Sequence, residues 1–144
     1  MPGAGRAGWR IVPAAHPRRP DLRSPLRIAA AVLGALFTLQ GLGWLLLPAR
    51  AAEGLGMPLL DGLGRSTQIG DLAAFFLVLG ASTLLGVWRQ RPVLLRVAAG
   101  LLGAAALGRT LAWALHGADF AGSFIAIELV AAAVLLAAAG RARP

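Results

Sequence analysis

The stretch Val93–Ala139, VLLRVAAGLLGAAALGRTLAWALHGADFAGSFIAIELVAAAVLLAAA, decides how this chain must be read. It holds two apolar runs, about 93–115 and about 121–139, separated only by the polar residues 116–120. Each run has the length of about 20 residues that an α-helix needs to cross the hydrocarbon of a bilayer. Two further runs of the same kind occupy about 27–47 and about 68–88. With 144 residues, 58% of them hydrophobic and 14% charged, and a mean hydropathy of +0.72, the chain is far more apolar than a domain that folds in water. Only helices or closed barrels satisfy their own backbone in lipid, and runs of this length select helices. The expected fold class is therefore all-α, a four-transmembrane-helix bundle. So short a chain leaves no length for a separate catalytic domain, and any chemistry sits within or between the helices.

All 14 basic residues are arginines, against 6 acids, giving a net charge of +8. Most flank the apolar runs instead of forming a stripe with aromatics, so the charge argues against a nucleic-acid partner. Arg6, Arg10, Arg18, Arg19 and Arg23 precede the first run, Arg89, Arg91 and Arg96 mark the turn between the second and third, and Arg141 and Arg143 end the chain. The 48–67 and 116–120 loops instead carry acids that offset their bases. Under the positive-inside rule both termini are expected in the cytoplasm, which agrees with an even number of spans. Residues 1–25, rich in proline and arginine, are expected to be a disordered cytoplasmic tail whose arginines serve chiefly to set the topology, with contact to lipid headgroups the alternative. Residues 26–140 form the membrane domain and 141–144 a second cytoplasmic tail. Arginine without lysine, beside abundant alanine and glycine, is the usage of a GC-rich bacterial genome, so the expected location is a bacterial inner membrane. A secretory signal is the rival reading of the first run, because Ala49 and Ala51 offer a small-x-small cleavage pattern. The run is longer than the roughly 7–15 residues of such a signal's apolar region, and a retained helix is preferred.

Trp44 is expected at the far interface of the first span, which Pro48 stops. Gly54, Gly56, Pro58, Gly62 and Gly64 punctuate the 48–67 loop, with room for a short interfacial helix at its start. On the third span Gly100, Ala104 and Gly108 form a small-xxx-small ridge suited to close helix packing, within the chain or between copies.

Few polar side chains interrupt the runs, and a rise of 1.5 Å per residue gives their depths. Gln40, Arg109 and Glu128 each lie roughly 10 Å below the outer interface, and Asp71 about 4 Å below it, with Gln68 on the same helix face at i−3. An ionised group at such depth costs on the order of 2.5–3.5 kcal/mol when it faces lipid at a helix centre, so these side chains are expected to face one another. Arg109 and Glu128, on consecutive antiparallel spans, are the natural pair. Gln40, Gln68, Asp71, Arg109 and Glu128 are accordingly the candidate ligand-binding residues of an outward-facing intramembrane polar pocket. The alternative is an interhelical lock that fixes helix register and binds nothing. His116, beside Asp119, reads as a loop residue. Without cysteine or a second nearby histidine it marks no metal site, and no haem, flavin or nucleotide motif calls for a cofactor.

The stretch Gly56-Met-Pro-Leu-Leu-Asp-Gly-Leu-Gly-Arg65, with Asp71, Gly108-Arg109, His116-Gly117 and Glu128-Leu129, resembles an uncharacterised bacterial family of four-helix membrane proteins, itself distantly similar to DoxX-like proteins. The resemblance covers roughly residues 26–140. It implies the four-helix fold and, through the association of DoxX-like proteins with quinone-linked oxidation, a lipid-soluble ligand. Three functional classes follow. The preferred one is a binding or accessory protein for a lipid, quinone or small solute, in contact with membrane lipids and acting alone, as a homo-oligomer or with a partner membrane protein. The alternatives are a small proton-coupled transporter and, with only Asp71, His116 and Asp119 as near-surface groups, a membrane enzyme.

The lack of cysteine makes the topology directly testable. A membrane-impermeant maleimide applied to intact cells is expected to label Ala118→Cys and to spare Gln90→Cys; the reverse pattern would invert the orientation.

Overall fold

The computed structural model describes residues 24–141. The tails expected over 1–25 and 141–144 fall almost wholly outside them, although Pro25 already belongs to the first helix. Five helices and no strand occur among the described residues: α1 (Pro25–Leu46), α2 (Pro48–Gly54), α3 (Gly62–Trp88), α4 (Pro92–His116) and α5 (Gly122–Arg141). All but α2 are long and apolar enough to cross a membrane, with mean hydropathies of 1.7, 1.8, 1.4 and 2.2 in chain order. Large apolar side chains such as Leu39, Val93, Leu107 and Val130 point outward around the bundle, the arrangement a protein adopts when lipid is its solvent.

The four long helices pack in a ring, α1 beside α3, α3 beside α4, α4 beside α5, with α5 closing weakly on α1. Proline and left-handed turns set the corners. Leu47 leaves helical geometry and Pro48, which has no N–H to donate, starts α2 at its first position. At the end of α3, Gln90 takes φ +51° and the Arg91 N–H reaches back to the Gly86 carbonyl at 3.0 Å. This is a Schellman closure with glutamine where glycine is usual, and Pro92 then opens α4. Gly117, at φ +67°, closes α4 before the short turn into α5.

Three features depart from the sequence expectation. The helix containing the second span begins at Gly62 instead of near Gln68. Its 27 residues make about 40 Å of helix, roughly 10 Å more than the hydrocarbon is thick, a surplus that leaves room for the polar residues of its first turns. Trp44, expected at an interface, is fully buried. Helix α2 folds back so that Ala51 and Ala52 cover the indole against Ala73 of α3, leaving Nε1 without a hydrogen-bond partner among the described residues.

The closest helix approach joins α1 to α3. A Cβ at Gly80 would lie 2.6 Å from the Thr38 nitrogen and 2.9 Å from the Gly34 carbonyl oxygen, and one at Gly41 would lie 2.9 Å from the Leu77 nitrogen. Thr38 and Thr83, flanking this contact, return their hydroxyls to the Gly34 and Leu79 carbonyls of their own helices, at 2.9 and 2.8 Å. The ridge expected to pack, Gly100, Ala104 and Gly108, is instead exposed on α4, and Cβ atoms at its two glycines would meet nothing within 4 Å. Its small residues satisfy the spacing rule but face away from the other helices.

Gly80→Ala is therefore expected to cost roughly 1–3 kcal/mol. Gly100→Ala is expected to be neutral or to stabilise by about 0.5–1 kcal/mol. Denaturant titration of both variants in detergent measures the difference, and equal effects would contradict the α1–α3 contact.

Candidate functional site

The polar side chains on α1, α4 and α5 meet in the half of the bundle away from the termini. Arg109 Nε donates to Glu128 Oε1 at 2.9 Å, linking α4 to α5 across the turn at Gly117. The pair sits in a partly dry setting, with the Arg109 side chain 32% exposed and that of Glu128 13%. The guanidinium carbon also lies 4.9 Å from the centre of the Phe124 ring, where the negative ring face stabilises the cation. Since Phe124 precedes Glu128 by four residues, one helical turn of α5 supplies both the carboxylate and the ring.

The contact leaves part of the carboxylate unused. Glu128 Oε2 is buried and has no hydrogen-bond partner among the described residues. A guanidinium presents two parallel donors to a carboxylate when the geometry allows, and here that fork is not closed. An unsatisfied charged oxygen in a dry setting carries a desolvation penalty that a further donor would remove.

Beside this pair lies a cavity of about 550 Å³, within the range of small-molecule sites. Gln40 of α1, Arg109 of α4 and Glu128 of α5 line it, and Phe37, Phe75, Phe76 and Phe124 supply most of its aromatic wall. Phe75 meets Phe76 edge-on at 5.2 Å, and Phe37 stacks on Phe76 at 6.4 Å. Leu55 and Met57 close in from the loop at the end away from the termini. Leu36 and Ile127, 55% and 62% exposed, border the cavity on the α1–α5 side, where the ring of helices is least tightly packed.

Of the five residues expected to form a polar pocket, three line this cavity and two do not. Asp71 is exposed on α3 and takes no part in it; the cavity is reached instead by Leu72, Phe75 and Phe76 on a different face of that helix. Gln68, in the second turn of α3, turns its side chain to the preceding loop. Its Nε2 donates to the Pro58 carbonyl at 3.1 Å and lies 3.1 Å from Met57 Sδ, while its Oε1 accepts from the Leu60 N–H at 3.0 Å. Arg65 pins the same loop through the Leu60 carbonyl and Asp61. Gln68 thus helps hold the loop that carries Met57, without lining the cavity itself. The phenylalanines are the residues the sequence reading missed, and a signal was present: Phe37 precedes Gln40 by three and Phe124 precedes Glu128 by four, placing ring and polar group on one face. His116 and Asp119 are exposed, and Trp113 stacks edge-on against Phe120 at 5.2 Å. Among the described residues no group of three or more His, Cys, Asp or Glu side chains converges as metal ligands would.

Four apolar spans enclosing a polar contact define a multi-pass membrane protein. Residues 25–139 match the model of DUF4345, a domain of unknown function, and the chain belongs to that family. No curated protein and no solved structure matches it.

A double-mutant cycle on Arg109→Ala and Glu128→Ala, read by unfolding in detergent, is expected to give a coupling of roughly 0.5–2 kcal/mol. Each single change should cost more than that, because it leaves an ionised partner unanswered. Strict additivity would mean the pair is not formed.

Proposed function

We propose that this protein is a binding or accessory protein of the membrane, holding a lipid-soluble molecule with a polar head in the cavity among α1, α3, α4 and α5. The observation that carries the reading is a cavity lined by Gln40, Arg109 and Glu128 amid phenylalanine and leucine, beside which Glu128 Oε2 is buried without a hydrogen-bond partner among the described residues. A hydroxyl or amide of the ligand donates to the Glu128 carboxylate, its carbonyl or phosphate accepts from Arg109 or Gln40, and its apolar portion lies among the rings. Leu36 and Ile127 border the side through which such a molecule passes from the lipid between α1 and α5. A quinone fits this description, as does a lipid, and the distant similarity to DoxX-like proteins suggested by the sequence motifs would favour the former. In this reading the membrane is a bacterial inner membrane and both termini are cytoplasmic, as the arginine distribution favours. The cavity then lies in the outer half.

A proton-coupled carrier needs a carboxylate that cycles between free and occupied states. Glu128 is already engaged by Arg109, which supports binding over transport.

The test is thermal stability in detergent with and without a total lipid extract of the source membrane. Extract is expected to raise the melting temperature of the wild type and to leave that of a folded Arg109→Ala variant unmoved. If extract affects both alike, the layer is an interhelical lock and the binding role fails.

A further inference from the structure

At the opposite end of the bundle, Arg27 is almost completely buried, at 8% exposure, in the first turn of α1. Its Nη1 is buried with no hydrogen-bond partner among the described residues, and so is the hydroxyl of Ser24 three residues earlier. A buried guanidinium is tolerated only when something answers its charge. The acids of the described residues, Glu53, Asp61, Asp71, Asp119 and Glu128, all lie in the half of the bundle away from the termini or in its loops. What stands near Arg27 is further positive charge, with Arg89 at the adjacent end of α3 and its guanidinium carbon 5.2 Å from the Trp88 ring centre. No acid among the described residues answers Arg27; Asp21, the remaining acid of the sequence, lies outside them, and the other source of an anion is the membrane itself.

The surroundings identify the anion's carrier. Arg27 heads a groove of about 650 Å³ between α1 and α3, floored by apolar side chains including Ile28, Val32, Ala35, Leu85 and Trp88. From Arg27 to Ala35 the groove follows α1 for about 12 Å, close to the roughly 15 Å of hydrocarbon in one leaflet. A free anion would use the guanidinium and leave this length of apolar wall empty. A phospholipid uses both, its phosphate at Arg27 and an acyl chain along the wall.

We infer that the α1–α3 groove headed by Arg27 is a specific site for an anionic phospholipid of the leaflet that borders the termini. The phosphate oxygens accept from the Arg27 guanidinium, in the planar match that arginine makes with phosphate, and the Ser24 hydroxyl supplies a neutral donor at the same helix start. Arg89, beside Trp88 at the rim, adds the field that favours an anionic over a zwitterionic headgroup. The site is separate from the cavity at Glu128, lies at the other end of the bundle and takes a different ligand.

Native mass spectrometry of the full chain, released from detergent after incubation with phosphatidylglycerol or with phosphatidylcholine, tests this. The wild type is expected to retain phosphatidylglycerol in preference. Arg27→Gln should lower that retention roughly tenfold, the loss of one charge-assisted hydrogen bond. Arg65→Gln, which removes the same charge at the other end, should leave it unchanged. Circular dichroism reports whether each variant is folded, and if Arg27→Gln is not, Ala35→Phe decides, since it fills the groove and keeps the arginine. Loss of retention in Ala35→Phe supports the site. Full retention in a folded Arg27→Gln or in Ala35→Phe, an equal loss in Arg65→Gln, or displacement of the lipid by inorganic phosphate alone overturns it.

Discussion

Between α1 and α3 the two backbones approach so closely at Gly41 and Gly80 that a single added carbon would collide with main-chain atoms, and one at Gly34 would press on the Leu84 and Thr83 side chains. In hydrocarbon the apolar side chains have nothing to gain by leaving solvent, so helices associate through the fit of their surfaces and through polar contacts. This contact is therefore the frame on which the other features depend. It sets the rotation of α1 that turns Gln40 toward the cavity, and the rotation of α3 that turns Phe75 and Phe76 toward it and Asp71 away. It also joins the two helices whose side chains line the groove below Arg27. The remaining helices, α4 and α5, are joined to each other by the Arg109–Glu128 hydrogen bond and lean on this frame.

The two ends of the bundle solve the problem of charge in lipid differently. Away from the termini a base meets an acid within the chain, an aromatic ring supports the base, and one carboxylate oxygen is left over. Toward the termini a base is buried without an acid among the described residues, at the end of the bundle that also carries Arg89. The first arrangement is nearly neutral and favours a ligand whose head both donates and accepts. The second is strongly positive and favours a ligand that brings a full negative charge.

Hydropathy and residue spacing were enough to read the four spans, since about 20 apolar residues in succession have no other stable arrangement in lipid. Counting residues from the ends of each span also gave depth, and depth placed Gln40, Arg109 and Glu128 in one layer, where the structure has them lining one cavity. Rotation about the helix axis was not legible in the same way. Asp71 has a suitable depth and the wrong azimuth, and the Gly100–Ala104–Gly108 ridge has the right spacing on a face that meets no helix. Azimuth follows from which helices touch, and a uniformly apolar helix has no polar side to announce it. The burial of Trp44 was hidden for a further reason: it depends on α2 folding back, a tertiary event that the indole's position near the end of a span does not encode.

The turn at Gly117 has a bearing on how the chain reaches the membrane in the first place. Arg109 and Glu128 belong to neighbouring helices joined by a few residues, so a single helical hairpin contains both halves of the ion pair. Released one at a time from the insertion machinery, each helix would carry an uncompensated charge into oil. Released together, they enter as a dipole whose ends already neutralise each other, and the shortness of the connection makes joint release the natural course. The last two spans thus form a helical hairpin that carries its own charge balance, and the short connection between them keeps the two halves of the pair within reach of each other.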